Sequence, residues 1–122
     1  MKPTLIAILF FLATYSFAQS VTETINEVGF AVETTVNSTI IIRKIDMGSP
    51  AFKAGLKKND MIISVKKDLT SESVQLAQLP IDEVEKLLKG SKGSMITLEF
   101  IRYPGKDVKK VTFARTGDFR KQ

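Results

Sequence analysis

The chain has 122 residues, of which 43% are hydrophobic and 25% charged, so it has room for one globular domain and little else. It contains no cysteine and no histidine, which excludes disulfides, thiolate metal sites, and Cys–His or Ser–His–Asp catalysis. The formal charge of +5 is compatible with acidic partners but identifies none of them.

The first residues have the pattern of a secretory signal peptide. Residues 1–2 supply a positive start, and the apolar run at 5–13 is shorter than the roughly 20 residues that span a bilayer. Ser16 and Ala18 place small side chains at the two positions that a signal peptidase reads, so we predict cleavage before Gln19. The alternative is a buried N-terminal strand or helix. A signal peptide predicts export to the periplasm or the exterior, and the absence of cysteine predicts no lipid anchor.

The chain after Gln19 opens with strand-forming segments. Residues 21–25 (VTETI) predict a first strand or a lead-in, and residues 30–33 predict a strand that follows a turn. Residues 36–39 predict another turn, and the branched run at 40–45 predicts the next strand.

Residues 48–65 predict a corner made of a turn, a very short helix, a second turn and a buried strand. Ser49 is a good N-cap, and Pro50 suits the first helical position because its φ is already helical. Gly55 ends the helix in the left-handed conformation. Asn59 and Asp60 form the second turn, and residues 61–65 have the apolar, branched composition of a strand.

The second half of the chain predicts one helix and a hairpin. Residues 69–79 show no firm period and predict an irregular connection. Pro80 opens a helix that Gly90 ends, with apolar side chains on one broad face. Residues 95–102 and 108–115 alternate as two strands joined by a turn, and residues 116–122 form a polar tail.

The corner resembles the most diagnostic segment of bacterial PDZ domains, roughly S-P-A-x-x-A-G-L-x-x-G-D-x-I-x-x-V. Nine positions match this pattern: Ser49, Pro50, Ala51, Ala54, Gly55, Leu56, Asp60, Ile62 and Val65. Asn59 replaces the usual glycine, and asparagine enters positive φ more readily than most residues. The resemblance extends over about 25–115. It implies an α+β fold in which two helices cap a strongly bent antiparallel sheet, or partial barrel, of five to six strands.

The resemblance also implies a peptide site. Residues 27–30 (EVGF) take the place of the family's carboxylate-binding loop, often G-L-G-F, and the Phe30–Glu33 strand would offer its open edge to an added peptide strand. The alternative is a plain turn that leads into an edge strand. The implied peptide-binding residues are Val28, Gly29, Phe30, Ala31, Val32, Ile81, Glu85 and Leu88. Val84 and Leu87 are implied to fill the core.

Two acidic residues depart from the family pattern. Glu27 replaces the first loop glycine, and no Lys or Arg lies between Gln19 and Glu27 to balance a bound carboxylate. Glu85 stands where relatives usually carry an apolar residue. Either the groove prefers a basic or polar ligand side chain, or Glu85 is an ordinary solvated helix residue.

These observations predict an exported, non-catalytic domain of residues 19–122 that binds an extended peptide or a protein C-terminus. The pattern predicts no cofactor, no metal and no nucleic-acid partner. PDZ domains of this type often belong to proteases, yet no protease domain or aspartic-protease triplet is present here. One alternative is a regulatory or substrate-tethering subunit, or remnant, of a separate envelope protease. Another is a structural module with a non-functional groove.

Overall fold

The structure is a computed structural model that describes residues 21–117. The predicted signal peptide, residues 1–18, lies outside the described residues. The described elements are β1 (Phe30–Thr34), β2 (Ile40–Ile45), α1 (Pro50–Lys53), β3 (Met61–Lys66), β4 (Val74–Gln75), α2 (Ile81–Leu88), β5 (Met95–Ile101) and β6 (Val108–Ala114). The bounds of β1, β2, β3, β5 and β6 agree with the predicted strands to within one residue.

The strands form an open sheet in the order β1-β2-β3-β5-β6, with β4 paired to β3. Neighbouring strands are antiparallel. The register between β1 and β2 shifts after Ala31, which leaves Arg43 as an extra residue of β2. The predicted α+β class, with two helices and a five- to six-stranded antiparallel sheet, is confirmed.

The corner between β2 and β3 forms as its sequence dictates. Ser49 is the N-cap of α1, and its Oγ accepts the N–H of Phe52 at 3.2 Å. Pro50 occupies the first helical position. Gly55 and Asn59 have φ values of +103° and +75°, so asparagine does adopt the left-handed conformation where relatives carry glycine.

A buried carboxylate fastens this corner to the sheet. Asp60 is 1% exposed, and its two oxygens accept Nε and Nη2 of Arg102 at 2.9 and 2.8 Å. Arg102 also donates to the carbonyl oxygen of Gly55, and Asp60 accepts the N–H of Lys57. This two-point pair raises the pKa of Arg102, because the hydrogen bond to Asp60 favours the charged guanidinium.

A second arginine closes the carboxyl end of α2. Arg115 donates to the carbonyl oxygens of Leu87 and Leu88, both at 2.9 Å, which otherwise lack helical partners. Burial lowers the pKa of Arg115, while Glu27 acts in the opposite direction. A Cβ atom at Gly90 would lie 2.7 Å from the Arg115 guanidinium carbon, so glycine makes room for this cap.

The core lies between the sheet and α2 and is apolar, with mostly aliphatic side chains and three phenylalanines, Phe30, Phe100 and Phe113. It includes Val84 and Leu88, whereas Leu87 is only half-buried. Leu88 is buried together with Val84, four residues earlier on α2, and Leu87 packs against the margin of the core. Whether Leu88 also lines a peptide groove stays a prediction.

Two further features of the described chain bear on the predictions. The connection expected to be irregular contains the short strand β4, whose two residues pair with β3 at Ser64 and Val65. Within residues 21–117, no helix combines the length and the apolar composition needed to cross a membrane.

Candidate functional site

The outer edge of β1 is covered by the chain itself. Residues 21–25, here named the N-terminal segment, run antiparallel to β1. Thr22 N–H donates to Val32 O at 2.9 Å, and Val32 N–H donates to Thr22 Oγ1 at 3.0 Å. Ile25 N–H donates to Phe30 O at 2.9 Å. The backbone groups that an added peptide strand would use are therefore already hydrogen-bonded within the chain.

The pairing of the N-terminal segment with β1 is irregular. Val21 lies opposite Glu33, and Ile25 lies opposite Phe30. Between these two pairs the segment advances by four residues and β1 by three, so the segment contains one extra residue, as in a β-bulge. In this register Val32 N–H meets a threonine hydroxyl, where a regular strand would present a backbone carbonyl.

The loop between the segment and β1 directs its amides at a single oxygen. Gly29 N–H and Val28 N–H donate to the carbonyl oxygen of Ile25 at 2.7 and 3.2 Å. Gly29 has a φ of +91°, which favours glycine at this turn. The carbonyl oxygen of Val28 accepts the N–H of Ala51, which ties the loop to α1. A turn is present where the loop was predicted, and its amides bind a carbonyl oxygen of the chain itself. Whether it binds a carboxylate stays a prediction.

The predicted site residues are brought together, but most are inaccessible to solvent. Val28, Phe30, Val32 and Leu88 are each 0% exposed and belong to one core cluster. Gly29 and Ala31 are also buried. The open edge expected at Phe30–Glu33 is therefore absent, because the N-terminal segment covers it. Whether these residues bind a peptide stays a prediction.

The α2 side of the site is more exposed and carries paired charges. Ile81 is partly buried against the core. Glu85 forms an ion pair with Lys89, with 3.0 Å between Oε2 and Nζ. Glu85 raises the pKa of Lys89, and Glu27 adds a smaller effect of the same sign. Glu27 therefore has a cation within electrostatic reach, supplied from far along the sequence.

Three residues at this edge were missed by the sequence reading. Thr22 and Ile25 provide the hydrogen bonds described above, and Ile25 is only 2% exposed. Arg43, the extra residue of β2, donates from Nη2 to Thr22 O at 3.2 Å, while its buried Nε has no partner within the described chain. The alternation in VTETI was a signal for a strand, but its partner strand could not be identified from it.

The groups at this site are suited to binding an extended chain. Within residues 21–117, no group of three or more acidic side chains is placed to hold a metal ion. The functional groups at the β1 edge are backbone amides, backbone carbonyls and apolar side chains. Such groups recognise an extended chain by strand pairing and by side-chain pockets.

Comparison with known proteins agrees with this architecture. The family model for the PDZ domain matches residues 19–101. The carboxy-terminal processing protease CtpA of Bacillus subtilis (strain 168) is 33% identical over 87 residues, which are 71% of this chain. The chain spans 17% of the length of that curated relative.

Solved structures place the fold in the same group. The PDZ domain of a carboxy-terminal protease from Vibrio cholerae, solved in complex with peptide, is 32% identical, with a TM-score of 0.64 over 74% of this chain and 92% of that one. The photosystem II D1 C-terminal processing protease shares the fold at 20% identity and a TM-score of 0.64, over 80% of this chain and 23% of that one. This chain belongs to the PDZ domain family, with similarity to the PDZ domains of bacterial C-terminal processing proteases.

Proposed function

We propose that the domain binds an extended peptide, or a protein C-terminus, by β-strand addition along Phe30–Glu33 beside α2. One observation carries this proposal: Phe30 O, Val32 N–H and Val32 O already pair with an extended segment. The edge therefore has the geometry to accept a strand, and main-chain hydrogen bonds would supply much of the affinity. The V. cholerae relative was solved in complex with peptide, which supports peptide binding by a domain of this fold.

The proposed pocket combines apolar side chains with limited charge. Phe30, Val32 and Leu88 lie in the core cluster that would meet a ligand's apolar side chain, and Ile81 packs against its margin. At the margin of the pocket, Lys89 pairs with Glu85 at 3.0 Å, and both Glu85 and Glu27 raise the pKa of Lys89.

Isothermal titration of the full chain with a peptide panel, each peptide prepared with a free carboxylate and as an amide, tests the proposal. We expect Ile81→Ala to weaken binding several-fold, because the side chain borders the cleft. Glu83→Gln, on the exposed face of the same helix, is the matched control and should bind like the wild type. Equal affinity for both forms of each peptide would rule out recognition of a C-terminus. Phe30 is a poor site for a test variant, because it is fully buried.

A structural module is the second candidate, and the covered edge specifically favours it. If the N-terminal segment never leaves β1, its hydrogen bonds serve only to close the sheet, as other proteins protect their edge strands. In that case no peptide of the panel would change the backbone chemical shifts of Gly29, Phe30 and Val32.

We further propose that the binding function serves a protease. In this role the domain would supply peptide recognition to a separate catalytic chain, and its similarity to CtpA, a carboxy-terminal processing protease, supports the idea. Affinity purification from the envelope fraction tests this idea. Recovery of a protease that has no PDZ domain of its own supports the tethering role, and recovery of non-proteolytic proteins alone contradicts it.

Export is the remaining part of the proposal. The charged start, the apolar run at 5–13 and the small residues Ser16 and Ala18 support cleavage before Gln19. The PDZ match begins at the residue that cleavage would expose. N-terminal sequencing of the protein recovered from the envelope or the medium is expected to begin at Gln19, whereas an intact Met1 would contradict processing.

A further inference from the structure

We infer that residues 21–25 are an internal ligand of this PDZ domain, and that an external peptide binds by displacing them. This inference rests on the proposed function and adds to it a competing occupant and a class of ligand. Three features of the segment support it: its position along β1, its imperfect pairing and the side chain that it buries.

The segment reproduces both parts of a bound C-terminal peptide. Thr22 supplies the strand contacts to Val32, and the Ile25 carbonyl oxygen receives the two loop amides of Val28 and Gly29. The Ile25 side chain is 2% exposed and shares the core cluster with Phe30. A ligand's last residue would place its side chain there and direct carboxylate oxygens at the same amides.

The N-terminal segment covers the β1 edge, but its hydrogen bonds to that edge are less regular than those of an ordinary strand. Its extra residue makes Val32 N–H use a hydroxyl, and the buried Arg43 Nε finds no partner among residues 21–117. A regular strand would present a carbonyl to Val32 N–H without the extra residue. Because a short tether holds the segment at an effective concentration of about a millimolar, an external peptide needs this advantage in order to compete.

The covered pocket identifies the ligand class. Ile25 fills it with a branched aliphatic side chain, and its carbonyl lies at the position suited to a carboxylate. The class is therefore a regular extended segment that ends in an aliphatic residue with a free carboxylate. An acidic last side chain is unsuited, because it would be buried in an apolar cluster beside the Glu27 loop.

The test uses the peptide Gln-Ser-Val-Thr-Thr-Ile, which is the sequence of residues 19–25 without its glutamate and so without the extra residue. The same peptide with a final aspartate is the control ligand. Binding is measured by titration to the full-length wild type, Thr22→Val and Ile25→Ala. Leu56→Ala is the matched control variant, because Leu56 is as buried as Ile25 but lies at the α1 corner. The Val32 amide resonance reports whether the peptide occupies β1.

We expect Ile25→Ala to bind the isoleucine peptide about tenfold more tightly than the wild type, since the vacated pocket receives the ligand's side chain. Thr22→Val keeps the side-chain volume, and its affinity for the isoleucine peptide should rise several-fold. This variant serves as the test if Ile25→Ala fails to fold. Leu56→Ala should bind the isoleucine peptide no more tightly than the wild type does. The aspartate peptide should bind no variant more tightly than it binds the wild type.

Three results overturn the inference, and they separate it from the proposed function. If the wild type and both variants bind the isoleucine peptide with equal affinity and the Val32 amide resonance shifts, the domain binds peptide but the N-terminal segment does not compete with it. If no variant binds and Val32 does not respond, both fall. If a variant instead doubles its mass by exchanging segments between copies without binding peptide, the second copy is the natural occupant and the inference falls.

Discussion

The two outer edges of the sheet are protected in opposite ways. The edge of β1 is apolar and buried, and the N-terminal segment covers it through Thr22 and Ile25. The edge strand β6 is mostly exposed, and Lys109 and Lys110 point charge at the solvent beside it. A charged edge repels any added strand, whereas a covered edge keeps its ability to pair. The difference indicates that β1 is the edge suited to exchange one strand for another.

This comparison also explains why similar substitutions should have unequal effects at the two edges. At β1 each side chain of the covering segment either fills the core or completes a buried hydrogen bond. At β6 the corresponding groups are solvated, and water replaces whatever a substitution removes.

Loss of the side chain that covers β1 should give the largest effect. Ile25→Ala removes buried aliphatic volume, so we expect the free energy of unfolding to fall by about 2–4 kcal/mol. Val108→Ala on β6, where the side chain is 57% exposed, should change it by less than about 0.5 kcal/mol. Urea denaturation of both variants measures the contrast, and equal losses would refute the distinction between the edges.

The hydroxyl groups of the two edges provide a finer comparison. Thr22→Val leaves Val32 N–H without its acceptor, so we expect a loss of about 1–2 kcal/mol and faster hydrogen exchange at Val32. Thr112 on β6 shares a hydrogen bond with Thr97 at 2.8 Å in an exposed position, and Thr112→Val should cost less than about 0.5 kcal/mol. A larger loss of unfolding free energy for Thr112→Val than for Thr22→Val would contradict the distinction between the two edges.

Sequence patterns were sufficient for the fold because its corner depends on local chemistry. Ser49, Pro50, Gly55 and Asn59 each have a backbone conformation that their residue type favours, so the order of these residues identifies the turn and the short helix. The strands follow from alternation and branched side chains. In contrast, β4 was missed because Val74–Gln75 is two residues long and both are exposed.

The covered edge could not be predicted for a different reason. The pairing of the N-terminal segment with β1 uses backbone groups that every residue carries, together with one threonine hydroxyl. The sequence VTETI therefore predicts a strand without naming its partner. The contribution of Arg43 depends on the register shift in β2, which only the folded chain displays.

The charges on β6 should affect association more than stability. Lys109→Thr with Lys110→Thr removes two exposed cations, so we expect the unfolding free energy to stay within about 0.5 kcal/mol of the wild type. The variant should nevertheless associate at lower protein concentration, because its edge no longer repels another strand. Light scattering over a concentration series measures this. Unchanged association would mean that the lysines do not guard the edge.

The most direct test of a covered but exchangeable β1 edge is hydrogen exchange during titration with the Gln-Ser-Val-Thr-Thr-Ile peptide, followed in the wild-type chain at the amides of Thr22, Ile25 and Val32. We expect the amides of Thr22 and Ile25 to lose protection together as the Val32 resonance shifts, because one strand replaces the other. Full protection of Thr22 and Ile25 at saturating peptide would contradict it.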